Sequence, residues 1–385
     1  MTISRRADFH LPENIHYLNC AYMSPLARRV EQAGVAGVRR KRDPTTIAAA
    51  DFFTEADRAR ALFARLVNAA DAARVAVVPS VSYAVATAIR NLDVRAGRNV
   101  VVAAEQFPSN VLGWRSLCQR RGAELRTVSP DACAPPGRAE LWNARLLEAI
   151  DESTAVVALP HVHWTDGTRF ELEAIGRRAR EVDAAFIVDG TQSVGALPFD
   201  VAGVRPDLLV AAGYKWLLGP YGLGLAWLGE RFDGGVPLEE TWLGREGSED
   251  FRALVDYRDT YRPGAERYDM GERSSFHLMP MLVAALELLL EWGVPAIQDH
   301  CRGLADRICA GAAELGFTAE HETGRASHLF GLRGPAGLEN DEVRGALERR
   351  RVIVSLRGSA IRVSPHVYND EADADALIEA LGEVA

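Results

Sequence analysis

The sequence predicts an α/β protein: a mostly parallel sheet of seven strands between helices, followed by a smaller α+β unit. Three observations predict it. From about residue 55 to 230 helical and strand-like stretches alternate, the strands are rich in Val, Ile and Ala, and the pattern changes after an irregular stretch at 231 to 275. At 385 residues the chain is too long for one simple core, so two domains are expected, at 15–280 and 285–385.

The elements follow in order. Ala56 to Ala69 has the period of an amphipathic helix, and Arg74 to Val78 is a short apolar run suited to a buried strand. Ser82 to Asn91 reads as helix, Asn99 to Ala103 as strand, Val111 to Arg121 as helix, and Leu125 to Val128 and Thr154 to Leu159 as strands. Phe170 to Val182 is a helix, followed by apolar strands at Ala184 to Val188 and Asp207 to Ala212. A last strand, Gly224 to Leu228, follows a short glycine-rich turn, which allows it to run the other way. Residues 231 to 275 are rich in Gly, Asp, Glu and Arg with little periodicity, and a loop of that length is either plain surface or functional. Beyond it come helices at Pro280 to Trp292 and Asn340 to Arg351, strands at Val352 to Ser355 and Ala360 to Val363, and a closing helix at Asp370 to Leu381.

Composition narrows the function classes. A net charge of −9, with only Arg39-Arg40-Lys41-Arg42 and Arg349-Arg350-Arg351 as basic tracts, argues against a nucleic-acid partner. No run approaches the length of a membrane span, and the amino terminus lacks the apolar core of a signal peptide. Cys20, Cys118, Cys133, Cys301 and Cys309 lack ligand-like spacing and fit reduced thiols in a cytoplasmic protein. His161 and His163 form a His-x-His pair without a carboxylate partner in reach, so no metal is expected. Neither GxGxxG nor a Walker A motif is present, which sets aside a nucleotide-binding reading of the same strand pattern.

The chemistry concentrates between Asp189 and Lys215. One apolar strand ends in Asp189-Gly190-Thr191-Gln192 and the next in Gly213-Tyr214-Lys215-Trp216, so two consecutive buried strands deliver a carboxylate and an amine to one rim. Pyridoxal phosphate (PLP) needs that pair: the lysine holds its aldehyde as a Schiff base, and the aspartate keeps the pyridine nitrogen protonated. Taken singly, a Lys near a strand end is a solvated charge and an Asp before Gly is a turn. Lysine is scarce here, and Lys215 stands in an apolar, glycine-rich setting.

The segments VDGTQSVGALPFDV (188–201) and AAGYKWLLGPYGLGLAWL (211–228) resemble the class V aminotransferase family of fold-type I PLP enzymes. That group contains cysteine desulfurases, kynureninases and isopenicillin N epimerase-like proteins. The resemblance runs in scattered motifs from Tyr17 to Asn369. It implies a mixed sheet, residues 1–14 packed beside the small domain, and a homodimer with sites near the subunit boundary.

Several site residues follow from this likeness. Pro79-Ser80-Val81-Ser82-Tyr83 precedes a helix whose first amides suit a phosphate, although a plain Ser cap explains the same residues. The resemblance places the phosphate-binding pair at Val81 and Ser82, adds Tyr214, and loses a hydroxyl at Ala212. Phe107, in Glu105-Gln106-Phe107-Pro108-Ser109-Asn110, is implied to lie on the pyridine face, with Asn110 as a substrate contact; a buried core Phe is the rival. Gln192 is implied to reach the cofactor's phenolic oxygen. Trp164 occupies a position that often contacts that oxygen or the substrate, where an indole stacks or donates one hydrogen bond.

For the substrate carboxylate, Arg362 in IRVSPHVYN (361–369) matches the family's Arg-x-Ser-x-x-x-Tyr-Asn motif, with a structural ion pair as the alternative. Arg357 and Arg273 are further candidates for a second acidic group. Gly271 to Ser274 is a candidate for reaching a neighbour's phosphate, although Gly-Glu replaces the family's Gly-Thr there. The interval SLRGSAI before Arg362 has no cysteine, which argues against persulfide transfer as in cysteine desulfurases. The expected activity is a PLP enzyme acting on an amino acid or amine by transamination, elimination, carbon–sulfur cleavage or epimerisation. A kynureninase-like hydrolase and a non-catalytic homologue are the alternatives.

Overall fold

The computed structural model describes residues 4–130 and 135–385, so Cys133 and the first three residues of segment 1–14 lie outside the described residues. In chain order the strands are β1 (His16–Tyr17), β2 (Val75–Val78), β3 (Asn99–Ala103), β4 (Glu124–Val128), β5 (Thr154–Pro160), β6 (Ala185–Asp189), β7 (Leu208–Ala212), β8 (Gly224–Leu228), β9 (Phe330–Leu332), β10 (Val352–Ile353), β11 (Ser355–Arg357) and β12 (Ala360–Val363). The helices are α1 (Arg28–Arg40), α2 (Thr54–Leu66), α3 (Val81–Asn91), α4 (Leu112–Arg121), α5 (Arg138–Ala149), α6 (Leu172–Glu181), α7 (Val201–Val204), α8 (Leu278–Trp292), α9 (Val294–Glu314), α10 (Asn340–Arg349) and α11 (Glu371–Gly382).

Among the described residues, seven strands form one sheet in the order β2-β8-β7-β6-β5-β3-β4. β3 to β7 pair in parallel with their neighbours, whereas β8 runs antiparallel to both β2 and β7. The strand sequences VAVV, NVVVA, AFIVD and LLVAA are buried at every position. Alternation along each strand divides these residues between two cores: Val75, Val77, Val101 and Val157 face one, and Ala76, Val78, Val100, Val102 and Ala158 the other. Helices cover both faces, which explains why the strands read as continuous apolar runs.

The element ends shift by a few residues from their expected places. The helix expected at 56–69 spans Thr54–Leu66 and stops before Asn68, which takes φ 52°. α1 was not among the elements read from the sequence. Its Gly34 and Gly37 let it pack closely: a Cβ on Gly37 would stand 2.3 Å from the Phe276 carbonyl oxygen. Residues 231 to 275 consist of short 3₁₀ turns and irregular chain.

A second, three-stranded antiparallel sheet, β11-β12-β9, shares its own apolar core with α9, α10 and α11. β1 pairs in parallel with β10, the Arg5 amide donates to the Val367 carbonyl (2.7 Å), and Phe9 packs edge-on against Tyr368. No single helix among the described residues is long and apolar enough to cross a membrane.

Candidate active site

β6 and β7 are adjacent and parallel, with Asp189 registered against Val210, so the ends of both strands reach the same edge of the sheet. Asp189 closes β6, and Lys215 lies in the turn after β7. The two following loops cross where Gly195 (φ 104°) meets Trp216, and a Cβ there would stand 2.2 Å from the Trp216 carbonyl oxygen. Asp189 and Lys215 line one cavity of about 300 Å³ and are both nearly inaccessible, at 6% each.

Burial sets their electrostatics. It pushes the Lys215 amine down from its usual value to about 8, with Asp189 opposing the shift and Arg362 and Arg357 reinforcing it. Burial raises the Asp189 carboxyl, opposed by the Thr191 hydrogen bond (amide to Oδ1, 2.9 Å) and by Lys215. The lysine shift carries a stability consequence. Below pH 8 the folded chain keeps a charged ammonium in an apolar site, and between pH 8 and 10.5 the unfolded chain binds more protons, so the penalty fades as pH rises through that window. Lys215→Met is therefore expected to stabilise the cofactor-free protein at pH 7 by about 3 kcal/mol, with the gain shrinking toward pH 10.5. Thermal unfolding scans across that pH range check it; a gain independent of pH would sink the assignment.

One wall of the cavity is the amino terminus of α3. Ser80 caps that helix, its Oγ accepting from the Tyr83 amide (3.2 Å) and lying 3.0 Å from Ser82 Oγ. Val81, Ser82 and Tyr214 line the same wall, and the Tyr214 ring packs 4.6 Å from Tyr221. Phe107 is not a core residue. It is 38% exposed, lines the cavity, and its ring centre lies 5.3 Å from Lys215 Nζ.

Arg362 on β12 is 1% exposed and has no carboxylate partner among the described residues. It donates to the Trp164 carbonyl (3.0 Å), Ser355 Oγ (3.2 Å) and Asn19 Oδ1 (3.4 Å), while its Nε is buried without a partner. Burial, and then Arg357, lower its guanidinium to about 10. It stands one layer behind the cavity wall, against the backbone of Trp164.

Two expected contacts, Asn110 and Arg273, lie outside the cavity, and two others reach it with part of their hydrogen bonding already used. The Asn110 side chain is fully buried away from the cavity, accepting from Trp114 Nε1 (3.2 Å). Arg273 is also fully buried and is held by Asp269 and Glu266 in a cluster with Arg60, so it reaches neither the cavity nor the surface. Gln192 lines the cavity; its Nε2 donates one N–H to the Ala21 carbonyl (3.2 Å) and its Oε1 accepts from Trp216 Nε1 (2.8 Å), which leaves the second N–H of the amide. The Trp164 indole N–H is spent on the Glu105 carbonyl (2.7 Å), so Trp164 offers the cavity only its ring. The sequence reading also missed cavity contacts from Ser109, Thr191 and Tyr221, and the loop from Asn19 to Ser24 that holds Arg362, Gln192 and Tyr214. Thr191 was visible in the DGTQ motif; the Asn19 loop carries no local signal.

These residues fit PLP. Lys215 is a readily deprotonated amine, Asp189 is a buried carboxyl, a helix amino terminus with two hydroxyls forms a phosphate cradle, and Phe107 is an aromatic wall. A mixed, mainly parallel sheet with a lysine and an aspartate on adjacent strand ends defines the fold-type I PLP enzymes as the class. The chain belongs to the class-V aminotransferase family, whose model matches residues 39–377. It is 29% identical over 332 residues to an uncharacterized aminotransferase, YcbU, of Bacillus subtilis, covering 85% of this chain and 82% of that protein. A probable cysteine desulfurase of Methanothermobacter thermautotrophicus is 26% identical, covering 99% and 97%. The fold also matches the cystine C-S lyase C-DES, solved with its reaction product cysteine persulfide, at a TM-score of 0.83 and 19% identity, covering 97% of this chain and 98% of that one.

Proposed function

We propose that this PLP-dependent enzyme acts on an amino acid through Lys215, in a transamination, elimination or epimerisation that begins at the substrate's α-carbon. The observation that carries the reading is the convergence of Lys215 and Asp189 on one cavity from adjacent parallel strands. When bound, the cofactor supplies an aldehyde that condenses with amines and a pyridinium ring that withdraws electrons. With the cofactor bound, Asp189 would hold the proton on the pyridine nitrogen. Ser80, Val81, Ser82 and Tyr214 would take the phosphate, Phe107 and Trp164 would confine the ring and substrate, and Arg362 would anchor the substrate carboxylate. Lys215, with its amine lowered to about 8, would be the base placed to take the α-proton, its neutral form growing as pH rises toward 8.

Cysteine chemistry at the site has little support. Burial pushes the Cys20 thiol up to about 12 and raises Cys301 as well, so neither supplies a thiolate. Loss of a β-substituent after α-proton removal needs no enzyme thiol, which keeps elimination and carbon–sulfur cleavage open. The chain has two lysines, Lys215 and the exposed Lys41, so the test is sharp. Borohydride reduction of the PLP-loaded protein followed by peptide mass analysis is expected to place the cofactor on the Lys215 peptide; label on Lys41 alone would overturn the reading.

We also infer a cytoplasmic homodimer. The described cysteines are free thiols, and the exposed apolar residues Leu26, Val35 and Val38 on and beside α1 line a groove with Met281 that a second copy would cover. Light scattering is expected to give twice the chain mass; a monomer at micromolar concentration would refute the pairing.

A further inference from the structure

The proposed anchor, Arg362, has a second arginine beside it with no described carboxylate to explain either. In the β11–β12 hairpin Ser355 stands opposite Arg362 and Arg357 opposite Ala360. Arg357 and Arg362 are thus diagonal neighbours on one face of the hairpin, where like charges repel unless an anion joins them. Arg357 lies over the Trp164 ring, 5.5 Å from guanidinium carbon to ring centre, and Arg362 donates to the carbonyl of the same residue. Trp164 is part of the cavity wall, so both guanidinium groups stand behind that wall, against a residue that faces Lys215. Arg357 makes one hydrogen bond, to the adjacent Leu356 carbonyl (2.9 Å), and its buried Nε has no partner. Both arginines also depress the Lys215 amine, which places their charge within reach of it.

We propose that Arg357 is a specificity-determining residue that binds a second anionic group, on the side chain of the substrate, making an acidic amino acid the substrate class. The inference deepens the reading of Arg362 as the α-carboxylate anchor and rests on it. The Trp164 ring holds the Arg357 guanidinium nearby, and with one hydrogen bond to Leu356 and an unpartnered Nε it keeps donors to fork onto an anion. A neutral side chain would give that cation no anion to meet.

Unreactive acids test this apart from any chemistry on the cofactor. Calorimetric titration of the PLP-loaded and cofactor-free proteins compares succinate with butyrate and glutarate with valerate. The native protein is expected to prefer at least one diacid over its monoacid by roughly tenfold to a hundredfold. Arg357→Leu is expected to abolish that preference while changing monoacid binding less than about twofold, and Arg357→Lys to restore part of it. Equal native binding of mono- and diacids overturns the proposal, as does an unchanged preference in Arg357→Leu. Equal weakening of both acids in that variant also overturns it, because the two arginines would then share one carboxylate. The borohydride label on Lys215 is read in the same preparations, so failure of the cofactor assignment is separable from failure of the second subsite.

Discussion

Lys215→Ala is expected to abolish covalent attachment of PLP and to lower turnover at least about a thousandfold, the range reached when a positioned base and covalent anchor are removed together. The visible absorbance of the loaded protein and the borohydride mass label on residue 215 both disappear in this variant. Its fold is expected to persist, because the charged amine adds no stability to the cofactor-free protein at neutral pH. A far-UV spectrum and melting temperature at or above those of the parent separate loss of chemistry from loss of structure. Turnover within tenfold of the parent would remove Lys215 from the mechanism.

Arg362→Leu is expected to act in two opposite directions. Substrate affinity falls by roughly a hundredfold to a thousandfold, because a buried charge-assisted contact to the α-carboxylate is lost. The ligand-free protein becomes more stable, since a buried guanidinium with an unsatisfied Nε and no described carboxylate partner is replaced by an apolar side chain. A structural ion pair would show the reverse, a loss of stability with little change in affinity. Steady-state kinetics and thermal unfolding of one variant therefore decide between an anchor and a brace.

Arg273 and Arg362 show where sequence reasoning reached its limit. Both are arginines in motif-like settings, and both are buried to 1% or less. Asp269 and Glu266 neutralise Arg273 from nearby in the chain, whereas Arg362 meets only neutral acceptors brought from residues 19, 164 and 355. Local sequence cannot distinguish these cases, because the partners of Arg362 arrive from distant segments. Asn110 failed for a local reason instead: Trp114, one helical turn on, captured its side chain. Gln192 and Trp164 reached the cavity, but one Gln192 N–H went to Ala21, its oxygen to Trp216, and the Trp164 N–H to Glu105.

The sequence by itself determined the seven strands of the main sheet, their apolar filling, and the delivery of Asp189 and Lys215 to one rim. Period-two burial and the ends of apolar runs are properties of adjacent residues. Only the tertiary structure decided which polar groups remain free to meet a ligand. Hydrogen-bond satisfaction is settled by neighbours in space, and the loop at Asn19, the carbonyl of Trp164 and the β11–β12 hairpin meet only when the chain is folded.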